Sequence, residues 1–224
     1  MRVACLGLAT LTRLGYATAV QQPPLSLWAQ ETCAPWHQAL EQYPAAVAAH
    51  GSARLVELDR WLREALPPAI AARPAPGVTT EELGWVTEWK MLRGAWRPRN
   101  LQLVRGNSTV EVERVSAEAL QAVPDPRRPV ALLTRLAGVG PATASAVLAT
   151  AAPEHYPFFD EVVAVQMPGL GPVAFTGAYY QRYAAALRQR AAALSAACPH
   201  GDWPVHHLDL ALWVVGAALK PARR

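Results

Sequence analysis

Leu136-Ala137-Gly138-Val139-Gly140-Pro141-Ala142-Thr143-Ala144 decides the fold of this chain, because it sets a Gly-Val-Gly turn between two apolar, helix-patterned segments. The first segment, from about Val130 to Leu136, carries Leu132, Leu133 and Leu136 on one side; the second predicts a helix from Ala142 to about Thr150. Glycine at 138 and 140 permits positive φ and the close approach of another backbone, and Pro141 suits a first helical position, where its missing N–H costs nothing. Free amides at such a helix start, backed by the macrodipole, favour an anion such as a phosphate. The plainer alternative is that Gly138, Gly140, Ala144 and Ala146 only let two helices pack closely. Helical patterns on both sides of the turn favour the anion, with Gly138, Val139, Gly140, Ala142 and Thr143 as its candidate contacts.

Working outward, the pattern is helical almost throughout. Trp36, Leu40 and Tyr43 share one face of a segment starting near Glu31, and Leu55, Leu58, Trp61, Leu62 and Ala65 follow at helical spacing. Pro67-Pro68 and Pro74-Ala75-Pro76-Gly77 are expected to stop that run. Thr79 and Glu82 form a capping box for a helix reaching about Leu92, and another helix is expected from Ser116 to Ala122. After the turn Pro168-Gly169-Leu170-Gly171-Pro172 come a long helix from Ala178 to Ala196 and a last one from Asp209 to Leu219. Thr109-Val110-Glu111-Val112 reads as a strand too short to found a sheet, and no internal repeat stands out. The expected fold class is all-α, with a central cleft.

A second patch is Trp89-Lys90-Met91-Leu92-Arg93-Gly94-Ala95-Trp96-Arg97-Pro98-Arg99. A helix-to-loop boundary at Gly94 gathers Lys90, Arg93, Arg97 and Arg99 beside two tryptophans. Cations neutralise phosphates, and an exposed indole such as Trp96 stacks on an unpaired base. The competing account makes both tryptophans core anchors with a solvated arginine rim. A third cluster, Cys198 to Asp209, mixes thiol, imidazole and carboxylate, but its spacing matches no established metal site, so no metal and no cofactor are expected.

Composition bounds the rest. The chain has 224 residues, 52% of them hydrophobic, which is enough for one substantial core or for two small lobes sharing a cleft. Its net charge of +4 favours anionic partners, although a high arginine, alanine and proline content together accounts for part of the excess. Cys5, Cys33 and Cys198 are odd in number and far apart, which argues against a disulfide framework. Residues 1–30 contain Arg2 and Arg13 and no acid before Glu31, the pattern of a disordered or targeting-like leader; residues 31–224 then form a single helical domain. No apolar run predicts a membrane span.

The string Leu-x-Gly-Val-Gly-x-x-Thr-Ala resembles the hairpin of the helix-hairpin-helix superfamily of DNA base-excision glycosylases, over about residues 125–170. In that superfamily the hairpin, 130–150 in this chain, leads through a Gly/Pro-rich loop, 151–172, to a catalytic aspartate. Asp160, twenty residues after Gly140, stands at that interval. The resemblance implies that duplex DNA is the partner and that Asp160 stabilises charge on the sugar as the base leaves, or activates water. The plainer role of Asp160 is an N-cap before Glu161-Val162-Val163. Members that also cut the strand carry a lysine where this chain has Ala142, and Lys90 and Lys220 are its only lysines. The resemblance therefore implies a monofunctional glycosylase without lyase activity. A non-catalytic DNA-binding protein and a helical protein-interaction module are the alternatives. Trp-Lys-x-x-Arg-Gly-x-x-Arg-Pro followed by Gly-Val-Gly-Pro-Ala-Thr-Ala-Ser is also similar to a divergent eukaryotic branch with no assigned activity. That similarity points to the nucleus, whereas the acid-free N-terminus suits an organelle.

Overall fold

The computed structural model describes residues 26–198 and 203–219, and every regular element among them is helical. Two short helices, α1 (Cys33–Glu41) and α2 (Tyr43–His50), precede α3 (Ala53–Arg60), which runs through one π-helical stretch, Trp61–Ala65, into α4 (Leu66–Ala71). Pro67 and Pro68 do not stop this run. They sit in the first turn of α4, where no N–H donor is needed, so the chain ends its helix at Ala71 instead.

The capping box forms as the sequence predicts at the start of α5 (Thr80–Arg93): Glu82 N–H donates to Thr79 Oγ1 at 3.2 Å, and Thr79 N–H donates to Glu82 Oε2 at 2.8 Å. Then come α6 (Pro98–Arg105) and α7 (Thr109–Gln121). Thr109–Val112, expected as a strand, is the first turn of α7. Its β-branched residues are tolerated there because Val112 is buried with Val115 at helical spacing while Val110 stays 74% exposed. Around the decisive turn lie α8 (Arg128–Leu133) and α9 (Pro141–Ala151), followed by α10 (Glu161–Ala164), α11 (Gly177–Ala197) and α12 (Val205–Leu219).

The core is continuous from α1 to α12. Trp36, Trp89 and Trp213 are wholly buried in it with Tyr43, Tyr156, Tyr179, Tyr180 and Tyr183. Helix α9 is buried on every side from Ala142 to Thr150, so it is the central rod about which α4, α5 and α8 pack. Leu27, in a 3-10 turn over Leu27–Ala29, is only 5% exposed, so the helical body takes in residues that composition assigned to the leader; residues 1–25 lie outside those described. The parity argument against a disulfide is overturned: Cys33, at the start of α1, is bonded to Cys198, which caps α11. Spacing along the chain says nothing of proximity in space, and the third cysteine, Cys5, lies outside the described residues. No helix among the described residues is long and apolar enough to cross a membrane.

Candidate functional site

The turn between α8 and α9 divides the work of its two glycines. Gly138 has φ +77°, and a Cβ there would stand 2.6 Å from Asn100 O and 2.8 Å from Leu103 Cβ, so this glycine seats the hairpin on α6. Asn107 completes the seat: its amide donates to Ala137 O at 2.9 Å, and its Oδ1 accepts from Ala137 N at 2.9 Å. Gly140 is different. It caps α9 with φ −99° and ψ 179°, and a Cβ there would meet nothing within 4 Å. Val139, Ala142 and Thr143, expected as contacts, are buried as whole residues, each 6% exposed or less, and Val139 N–H donates to Leu136 O at 3.1 Å; of the five expected turn contacts Gly140 is the one that lies exposed.

Asp160 is positioned by a loop whose main chain is held by side chains on three helices. Tyr180 Oη donates to Pro157 O at 3.2 Å and Tyr183 Oη to Phe158 O at 2.7 Å. Phe158 N–H donates to Asp209 Oδ1 at 3.2 Å, and Phe159 N–H to Ser145 Oγ at 2.9 Å. Burial pushes both tyrosine hydroxyls above their ordinary pKa, so they remain donors. Asp209 is itself fully buried on α12, where burial raises its pKa against the opposing His206, whose Nδ1 lies 2.7 Å from Asp209 Oδ1. Phe159 packs among Tyr179, Tyr180 and Tyr183 with ring centroids 5.2 to 5.9 Å apart, which clamps the residue before Asp160.

Both oxygens of Asp160 accept. Oδ1 takes Val162 N–H at 2.9 Å as the N-cap of α10, and Oδ2 takes Arg93 Nη2 at 3.2 Å. Arg93 is 3% exposed, and its guanidinium carbon lies 4.2 Å from the Trp213 ring centre, 4.8 Å from Trp89 and 5.2 Å from Phe158. Its Nη1 donates to Tyr43 Oη at 2.8 Å; Tyr43 Oη donates to Asp59 Oδ1 at 2.6 Å, where Trp89 Nε1 also donates at 3.0 Å. Arg63 Nε closes the chain on Asp59 Oδ2 at 2.9 Å. Burial works against the charged form of Arg93, but the fields of Tyr43, Asp160, Asp59 and Asp209 outweigh it and hold its pKa above the ordinary value.

The basic patch therefore splits along α5. Arg93 and Trp89 point inward, and Arg93 holds Asp160 rather than lying on the surface. Trp96 is 51% exposed beyond the end of α5, and Arg97 and Arg99 are exposed with it. Lys90, half-buried, stands between the two groups: burial first, then Arg97, lowers its pKa against the pull of Asp160. Two surface cavities of about 670 and 740 Å³ lie along α7 and the approach to α5, and neither is lined by Asp160, the 138–140 turn or the patch. Tyr43, Asp59, Asp209 and Trp213 were missed as parts of the site, although an aspartate within the Leu55-Leu58-Leu62 stripe was a signal that a buried cation faces it. Compared with protein-family models, curated proteins and solved structures, the chain matches none.

Proposed function

We propose that the protein binds duplex DNA through the open turn at Gly140 and the exposed Trp96, Arg97 and Arg99, and that it hydrolyses an N-glycosidic bond at Asp160. The observation that carries this proposal is the Arg93–Asp160 pair: it joins the basic patch to the aspartate across 67 residues of sequence.

In this reading the base of an extruded nucleotide leaves with the bonding electrons, and Asp160 stabilises the positive charge left on the sugar. Water then attacks C1′ to form the new C–O bond, and its proton passes through solvent to the departed base, which is released neutral. Arg93 holds the carboxylate in place and does not touch the substrate. Ala142 supplies no amine, so the strand stays intact. A second reading rests on the same geometry: Asp160 already caps α10 and pairs with Arg93, which is sufficient work for a structural residue in a DNA-binding protein without chemistry.

Binding to plain duplex at two salt concentrations, with a screen of duplexes carrying uracil, alkylated, oxidised and mismatched bases, separates the readings. The expected result is binding that weakens with salt, release of free base from one lesion class, and an abasic strand cut only by later alkali. Asp160→Asn, with folding checked by circular dichroism, is expected to lose base release and keep binding. Salt-sensitive binding with no base release from any lesion leaves the binding-only reading. No binding at low salt ends both.

A further inference from the structure

The approach to the turn at 136–141 is repeated 31 residues further on, although no helix starts at Pro172 as α9 does at Pro141. Leu136-Ala137-Gly138-Val139-Gly140-Pro141 aligns without gaps on Met167-Pro168-Gly169-Leu170-Gly171-Pro172. Three backbone hydrogen bonds that lead into the turn repeat at the same offset, whereas the bond that closes the first turn, Val139 N→Leu136 O at 3.1 Å, has no counterpart at Leu170. Thr134 N→Val130 O at 3.0 Å matches Val165 N→Glu161 O at 3.2 Å. Arg135 N→Leu132 O matches Gln166 N→Val163 O, both at 3.0 Å, and Leu136 N→Leu133 O at 3.1 Å matches Met167 N→Ala164 O at 3.2 Å. The apolar anchors are equivalent, Leu136 at 3% and Met167 at 4% exposure, and the first glycines share a left-handed backbone, φ +77° and +81°. One turn precedes Asp160 in the chain and the other follows it.

The differences leave the second turn more open. Gly138 is pressed against α6, but a Cβ on Gly169 or Gly171 would meet nothing within 4 Å. Gly171 also takes a positive φ, +72°, and no protein acceptor among the described residues receives the N–H of Gly169, Leu170 or Gly171. Consecutive free amides on a left-handed turn form a concavity that suits an anion. No acid occurs from residue 127 to 153, nor from 162 to 198; near the second turn Arg182 lies over the ring of Tyr179, whose Oη donates to Gly171 O at 3.4 Å, whereas Arg188 and Arg190 turn to His155 and Trp28.

We infer that Pro168–Pro172 is a second phosphate-binding turn, which takes a further phosphodiester of the same DNA held at Gly140. The inference rests on the DNA-binding reading above, and paired substitutions keep the two separable. Ala137 and Pro168 occupy the same place on the two turns, and both are exposed. A carboxylate at either place repels a phosphate without removing any core packing. Ala137→Glu and Pro168→Glu are each expected to weaken duplex binding about tenfold and the double variant about a hundredfold, while Pro168→Lys tightens binding and steepens the salt dependence by about one phosphate. Val110→Glu, the same charge change on exposed α7, is expected to stay within about twofold of the parent. Melting temperatures confirm that each variant folds. If Ala137→Glu weakens binding and Pro168→Glu does not, the second turn is no contact and the DNA-binding reading survives. If Val110→Glu weakens binding as much as Pro168→Glu, the effect is net charge and the inference is overturned. If the parent itself does not bind, the failure belongs to the DNA-binding reading.

Discussion

Arg93 is a cation with almost no access to water, and that sets its energetic role. Four rings surround its guanidinium, and its donors reach Asp160 and Tyr43, so removing it strands a buried carboxylate and opens a cavity at once. Arg93→Leu is expected to cost about 3–5 kcal/mol in urea unfolding. Paired with Asp160→Asn, it should show a coupling of about 1–3 kcal/mol, because the second substitution removes the charge that the first left unpaired. Additivity within about 0.5 kcal/mol would mean that the pair does not form in solution. The sequence made the N-cap role of Asp160 legible, through the Glu161-Val162-Val163 that follows it. It did not make Arg93 legible as an inward residue, because Lys90, Arg93, Arg97 and Arg99 look alike as a basic run. What separates them is helical phase: Arg93 shares its face of α5 with Trp89 and Val86, whereas Trp96 and Arg97 lie past the helix end. Only the tertiary position of Tyr43 and Trp213 shows that this face has room for a guanidinium.

At the scale of the element, the turn between α8 and α9 is built on one glycine for packing and one for exposure, and the two respond differently to the same change. Gly138→Ala places a Cβ against Asn100 O at a left-handed φ and is expected to destabilise the protein by about 2–4 kcal/mol, read as a lower urea midpoint. Gly140→Val meets open space at a φ and ψ that any residue adopts, so its melting temperature should stay close to the parent's while DNA binding is lost. Unfolding by Gly140→Val, or full binding by it, would remove the turn from the interface. Helix caps and apolar periods were legible elsewhere too: Thr79 and Glu82 cap α5, and Asp160 caps α10. Prolines are less direct signals: Pro67 and Pro68, expected to stop a run, sit in the first turn of α4, and Pro98 likewise opens α6, which is not expected from sequence. The second turn is weakly legible in sequence, because only Gly-x-Gly-Pro is common to both, while the likeness lies in the hydrogen bonds that lead into each turn and in the left-handed first glycine.

Across the whole molecule, the ends of the described chain meet. Helix α1 packs on α12, and Cys33 is joined to Cys198 over a separation of 165 residues. The same α12 carries Asp209, which holds the loop before Asp160, and Trp213, which lies on Arg93. A link between α1 and the end of α11 therefore braces the helix on which the site rests. Closing so long a loop removes denatured-state entropy equivalent to about 5 kcal/mol in the chain-entropy model, and typical disulfides deliver about 2–4 kcal/mol. Reduction is accordingly expected to lower the melting temperature by roughly 5–15 °C for a chain of this size. Cys33→Ser should reproduce that loss and make the melt insensitive to reductant. Because α12 braces the Asp160 loop, the reduced protein should also lose proteolytic protection of the 153–160 loop at temperatures well below its melt. Intact mass under native and reducing conditions, followed by melts of both forms, decides the point: a parent already carrying free thiols at 33 and 198, or one whose melt ignores reductant, would show that packing of α1 on α12 holds these ends together without the covalent link.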